Sequence, residues 1–171
     1  MRHRLYLHVV WTTRGRAPLL DAHLASFLDR FLRIIAREER ALVLEIGMVR
    51  THLHLLLRVH PMTIIPRLLQ RLKGASSAVA GREHRASTQT SLKWERSYSI
   101  QSVGYRGLVS ARTYVRNQAA HHPEDVIQGW AGGVSLSAAA EDEWLGSERR
   151  NLRAGDGSGE LRAGARSRRR G

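Results

Sequence analysis

Apolar side chains recur along the first 122 residues at two spacings, every second position and every third or fourth, and together they predict seven elements. Leu5–Thr12 (LYLHVVWT) is rich in β-branched and aromatic residues and predicts a strand. A basic turn, Arg14-Gly15-Arg16-Ala17-Pro18, follows it. Asp21 stands where a helix N-cap belongs. Leu24, Phe27, Leu28, Phe31, Leu32, Ile34 and Ile35 then mark an amphipathic helix to about Arg40. Ala41–Val49 (ALVLEIGMV) and His52–Val59 (HLHLLLRV) predict two strands close enough to form a hairpin, with Pro61 ending the second. Ile64, Ile65, Leu68, Leu69, Leu72, Ala75 and Val79 mark a second helix, with Arg67, Arg71 and Lys73 on its other faces. Polar Gly81–Ser91 predicts a loop, and alternating Ser97–Val103 (SYSIQSV) a fourth strand. Leu108–His121 predicts a third helix, with His122-Pro123 at or past its end.

The order β-α-β-β-α-β fits the ferredoxin-like or RRM-like plan of an α+β domain, an antiparallel sheet with its helices on one face. That plan leaves the other face free for nucleic acid, and the last helix is an addition to it. Past Trp130 the character changes. Ala131–Ala140 is small and Gly/Ser/Ala-rich, Glu141-Asp142-Glu143-Trp144 is acidic, and residues 146–171 are Gly- and Arg-rich with almost no apolar content. We therefore expect a folded domain over residues 1–130 and a disordered tail over 131–171.

Charge sharpens this picture. The formal net charge is +13, and residues 1–130 carry 20 Lys and Arg against 9 Asp and Glu. The excess thus belongs mainly to the folded part, as in a polyanion binder. The Arg-rich tail is read as a solvated end rather than a phosphate-binding arm. The chain has no cysteine, which excludes disulfides, thiolate-bound zinc and thiol catalysis. No apolar run is long enough to span a bilayer, and MRHRLYLHVVW lacks a small-residue cleavage site. A cytoplasmic protein without a membrane partner is expected.

Two short patterns carry chemistry. His52 and His54 flank Leu53 on a predicted strand, so both imidazoles project to one face, as two metal ligands would. Such a pair alone is more simply a packed or surface pair. Tyr114 and Gln118 stand four apart on a predicted helix and share a face. A tyrosine hydroxyl titrates near 10, so as a nucleophile it needs a neighbouring base or metal. Gln118 offers a neutral oxygen to add to two imidazoles. Alone, Tyr114 is more simply a packing residue. Arg67, Arg71, Arg14, Arg16 and Arg106 are candidate phosphate contacts, and Lys73 is either another or a solvated helix lysine. Trp94 could stack a base, although packing is the simpler role. His121 and His122 could relay protons, although a helix-end position is the simpler account.

These patterns occur together with HVVWTTRGR near the start, GMVRTHLHLLLRV, the LKGASS segment from Leu72 to Ser77, Trp94-x-x-x-Tyr98 and YVRNQAAHH from Tyr114. In that order the chain resembles the single-tyrosine HUH transposases, including the REP-associated group, over nearly all of its first 122 residues. The resemblance implies that Tyr114 attacks a single-stranded DNA phosphate, leaving a 5′-phosphotyrosyl enzyme and a free 3′-OH. It implies that His52, His54 and Gln118 hold Mg²⁺ or Mn²⁺ at that phosphate. It also implies a homodimer, often with one subunit's tyrosine helix completing the other's site, and recognition of imperfect hairpins at element ends. The loop before His52, Met48-Val49-Arg50-Thr51, departs from relatives that carry a Pro and a small polar or acidic residue there. Two alternatives stay open. One is a domesticated relative that processes dispersed repeats by the same chemistry. The other is a non-catalytic RRM-like binder of single strands, against which stands the lack of aromatics on the third strand.

Overall fold

Four antiparallel strands form one sheet in the order β2-β3-β1-β4. They are β1 Leu5–Thr12, β2 Ala41–Val49, β3 His52–Val59 and β4 Ser99–Val103. The structure, a computed structural model, describes residues 4–84, 91–144 and 146–147. The first three strands begin and end where the hydrophobic pattern places them. Helices α1 (Ala22–Glu38) and α2 (Ile65–His84) cover one face. Asp21 caps α1 by accepting a hydrogen bond from Leu24 N at 2.8 Å. Leu24, Leu28, Leu32 and Ile35 of α1 and Leu68, Leu69 and Leu72 of α2 pack against Val9, Trp11, Leu53, Leu55 and Leu57 of the sheet. This aliphatic layer is the main core, and removing its surface from water is the chief stabilising term.

The expectation of helices on one face only is corrected. Tyr6, Leu42, Leu44 and Leu56 on the second face form another buried cluster with Leu108, Val115 and Trp144. The cover comes from α3 (Leu108–Arg116), α4 (Gln118–His121) and a helical segment over residues 138–144. The first part of the segment expected to be disordered is therefore packed. Residues 133–136 follow the β2 edge, where Arg33 donates to Val134 O and Leu136 N donates to Leu44 O at 3.1 Å. A cation–anion chain then fastens this segment and α3 to the sheet. Glu141 pairs with Arg58 and, at 3.2 Å, with Arg112, while buried Glu45 pairs with Arg112 at 3.3 Å and Arg116 at 2.9 Å. The Arg-rich part of the tail, from residue 148 on, lies outside the described residues.

Three boundaries also move. The second helix continues through residues 81–84 of the predicted loop, and residues 85–90 of that loop lie outside the described residues. β4 starts at Ser99 rather than Ser97, because Lys73 Nζ donates to the carbonyls of Arg96 (2.8 Å) and Ser97 (2.9 Å) and holds them out of the ladder. The predicted third helix breaks at Asn117, whose φ/ψ of −94°/26° leaves the helical range. There the Gln118 side-chain Nε2 donates to Tyr114 O at 2.9 Å, taking the carbonyl that a continuous helix would offer to the next turn.

Candidate active site

The second sheet face brings the predicted residues together. Pairing of β1 with β3 sets Val10 opposite His54 and Thr12 opposite His52, and pairing of β2 with β3 sets Gly47 opposite His54. Residues opposite one another share a face, so the two histidines stand side by side, ring centroids 5.2 Å apart and both buried. α3 crosses above them. Its approach is possible because residue 47 has no side chain. A Cβ there would lie 1.9 Å from Val115 O and 2.7 Å from Gln118 Cγ. The Tyr114 ring sits edge-on 5.7 Å from His54, with Tyr114 itself 42% exposed. A half-exposed tyrosine over two buried imidazoles can meet a substrate from solvent.

Burial decides the protonation of the histidines. Desolvation, with repulsion from His122 and Arg16, pushes His52 down to about 4. Desolvation, with repulsion from His8 and His52, pushes His54 down to about 3. Both are neutral at physiological pH, the state in which imidazole donates a lone pair to a metal. Gln118 is buried, and its Oε1 has no hydrogen-bond partner. Its amide proton contact to Tyr114 O fixes which end of the side chain this is. A buried orphan oxygen is costly unless something occupies it. Among the described residues no three His, Cys, Asp or Glu side chains are grouped to hold a metal. Two neutral imidazoles and a neutral amide oxygen suit a divalent cation that keeps open positions.

Other side chains complete the site, and His8 is one that the sequence does not single out. His8 Nε2 lies 2.9 Å from His54 Nδ1 and its ring stacks on His54 at 5.1 Å. Its position on β1 was visible, but only strand pairing sets it beside β3. His121 packs 4.9 Å from the Tyr114 ring and His122 4.6 Å from the His52 ring. Both therefore belong to the site wall, beyond a simple helix-end role. Thr51 bridges His52 and Asp125. Trp94 packs edge-on against Trp11 at 5.9 Å and donates to Ser76 Oγ, a packing role.

The candidate DNA contacts fall into separate groups. Arg14 and Arg16 occupy the turn after β1, at the same end of the sheet as His52, where Thr13 N donates to Thr51 O. Arg106 precedes α3 beside Val103, which pairs with Tyr6, about 20 Å along the strand from Thr12. Arg67 and Arg71 are on α2, on the opposite face. Arg67 pairs with Glu39 at 3.1 Å, and Arg71 with Glu38 at 2.6 Å and Glu39 at 2.7 Å. Lys73 caps two carbonyls and lies over the Tyr98 ring at 5.4 Å.

Comparison with known proteins adds an independent line. A family model described as "Transposase IS200 like" matches residues 1–118, ending at Gln118. The chain is 29% identical over 119 residues to the ISDra2 transposase TnpA of Deinococcus radiodurans, covering 68% of this chain and 85% of that one. It is similar to the crystal structure of a candidate transposase from Deinococcus radiodurans R1, with TM-score 0.54 and 27% identity over 69% of this chain and 93% of that one. It also shares its fold with a REP-associated tyrosine transposase bound to a REP hairpin, with TM-score 0.51 and 11% identity, over 71% of this chain and 72% of that one.

Proposed function

The chain belongs to the IS200-like transposase family, and we propose that it cuts and rejoins single-stranded DNA through Tyr114 beside a divalent metal. The observation that carries this reading is the convergence of Tyr114, two neutral buried histidines and the orphan Oε1 of Gln118 on one sheet face. His52, His54 and Gln118 would hold Mg²⁺ or Mn²⁺. Bound there, the ion would supply charge stabilisation at the scissile phosphate.

The Tyr114 hydroxyl oxygen attacks the phosphorus, and the bond from phosphorus to the 3′ oxygen breaks. The Tyr114 hydroxyl proton passes, net, to the leaving 3′ oxygen, which departs as a 3′-OH, and the 5′ phosphate stays on Tyr114. Rejoining reverses the step when another 3′-OH attacks the phosphotyrosyl bond. The energy of the broken phosphodiester is kept in that bond, so no nucleotide cofactor is needed. His121, against the Tyr114 ring, helps hold the ring over the histidines. Arg14 and Arg16 lie at the His52 end and would meet the backbone of a strand entering the site. Arg106 would meet it farther along, whereas Arg67, Arg71 and Lys73 would add field rather than direct contacts. By analogy with the hairpin-bound neighbour, the substrate is a single-stranded hairpin at an element end. β4, exposed along Ser99–Gln101 at the sheet edge, is where a second copy would pair to form a homodimer. Against the non-catalytic binder reading stands the packing of α3 and α4 over the β2–β3 side of the sheet face it would use.

The test is a denaturing gel of the purified protein with labelled single-stranded DNA from the flanks of its own gene, with Mn²⁺ or with EDTA. A labelled protein band that needs the metal and is absent in Tyr114→Phe is expected. Tight binding with no covalent band across the full flanks would overturn the enzyme reading.

A further inference from the structure

Each metal-candidate histidine makes one polar contact through Nδ1, buried for His52 and partly buried for His54. For His52 the partner is Thr51 Oγ1 at 3.0 Å, and that same oxygen lies 2.8 Å from Asp125 Oδ2. A hydroxyl has one proton, and a carboxylate can only accept. The Thr51 proton therefore goes to Asp125, and the oxygen presents a lone pair to His52. Nδ1 of His52 must then carry the hydrogen, which leaves its Nε2 lone pair free. Thr51 and His52 are both buried, so water does not compete for this arrangement. Asp125 is itself held in place, since Arg50 N donates to its carbonyl at 2.7 Å and its own N–H donates to His122 O at 3.0 Å. The Arg50 bond ties the segment that follows Gln118 to the β2–β3 turn that precedes His52.

We propose that Asp125 and Thr51 are positioning residues that fix His52 as the Nδ1–H tautomer and so aim Nε2 into the site, on the side where Gln118 Oε1 is unpartnered. His8 makes the matching contact to His54 Nδ1. The tautomer follows from the donor count. Its use in holding a cation rests on the metal reading above. Partners of this kind orient ligand imidazoles and raise their basicity, and losing one typically weakens metal binding about 10- to 100-fold.

The experiment has two parts, both on the full chain. Long-range ¹⁵N–¹H spectra of the metal-free wild type report the tautomer directly, and His52 is expected as Nδ1–H. Mn²⁺ titration calorimetry then compares wild type with Thr51→Val, Asp125→Asn and Thr51→Ser. The first two are expected to bind about 10- to 100-fold more weakly, and Thr51→Ser, which keeps the hydroxyl, to restore wild-type affinity. His52 found as Nε2–H in the wild type overturns the proposal even if a variant fails to fold. Wild-type affinity in both Thr51→Val and Asp125→Asn overturns it while leaving the metal reading intact. A wild type that binds no Mn²⁺, with His52 still Nδ1–H, brings down the metal reading and the positioning role with it.

Discussion

Replacing Gly47 with alanine tests whether the tyrosine helix works from the position it occupies over the sheet. The added Cβ would lie 1.9 Å from Val115 O and 2.7 Å from Gln118 Cγ. The Gln118 side chain can turn aside, but Val115 O is backbone in the last turn of α3. To reach even 3.0 Å, below which real contacts essentially never fall, the helix must retreat by about 1.1 Å. Overpacking of this kind costs about 1–3 kcal/mol, so the protein should still fold, with its melting temperature lowered by a few degrees. Activity should suffer far more, because α3 and α4 carry Tyr114 and Gln118 together and a 1 Å misplacement can cost about 10²-fold in rate. The assay is the rate of phosphotyrosyl adduct formation at saturating Mn²⁺, beside Mn²⁺ affinity and thermal melting. Gly74→Ala is the control, since a Cβ there meets nothing within 4 Å and should stabilise α2 by up to about 1 kcal/mol. A folded Gly47→Ala variant whose adduct rate stays within a few-fold of wild type would refute the docking of the helix on Gly47 in the active state.

Further outcomes follow from other contacts. Glu141→Gln removes a carboxylate shared by Arg58 and Arg112; breaking a buried pair costs about 3–5 kcal/mol, so chemical denaturation should show a loss of that order if residues 133–144 belong to the fold. Acid should destabilise the protein through its histidines. His52 and His54 stay neutral in the fold down to about 4 and about 3, whereas unfolded histidine takes a proton near 6.5. The unfolded chain thus binds more protons below that value, and stability is full above about 6.5 and falls as pH drops toward 4. His54→Gln should flatten that slope in melts across the range, and an unchanged slope would contradict the assigned burial. Removing Arg14 and Arg16 together should reduce the salt slope of single-strand binding by about 1.4, two contacts at about 0.7 each. Arg67→Ala should change it less, because Glu39 already neutralises that cation.

Local pattern was enough for β1, β2 and β3, the capped start of α1 and the adjacency of His52 and His54. Each of these depends on spacing within one segment, and a strand's period of two or a helix's of 3.6 is written in the chain itself. Helical spacing puts Tyr114 and Gln118 on one face, but the helix breaks at Asn117 between them and Gln118 begins α4. That break comes from a side-chain amide outcompeting a backbone donor, and the propensity of YVRNQAAH shows no stop signal. Trp144 was a visible apolar residue in an acidic stretch, yet whether it docks depends on Arg58 and Arg112, far from it in sequence.

What the sequence determined alone was the β-α-β-β-α-β order of the first six elements and the chemistry of the candidate site residues. Those follow from short-range periodicity and from side-chain chemistry. Tertiary structure decided which of those residues meet. His8 reaches His54 only through the register of β1 on β3, Asp125 reaches Thr51 only through a turn held by Arg50, and α3 reaches the histidines only because Gly47 lies under it. Arg67 and Arg71, alike in sequence to any DNA-facing arginine, are drawn to Glu38 and Glu39 by the packing of α2 on α1. Contacts between segments tens of residues apart are fixed by the packing of whole faces, and no local window of the chain contains that information.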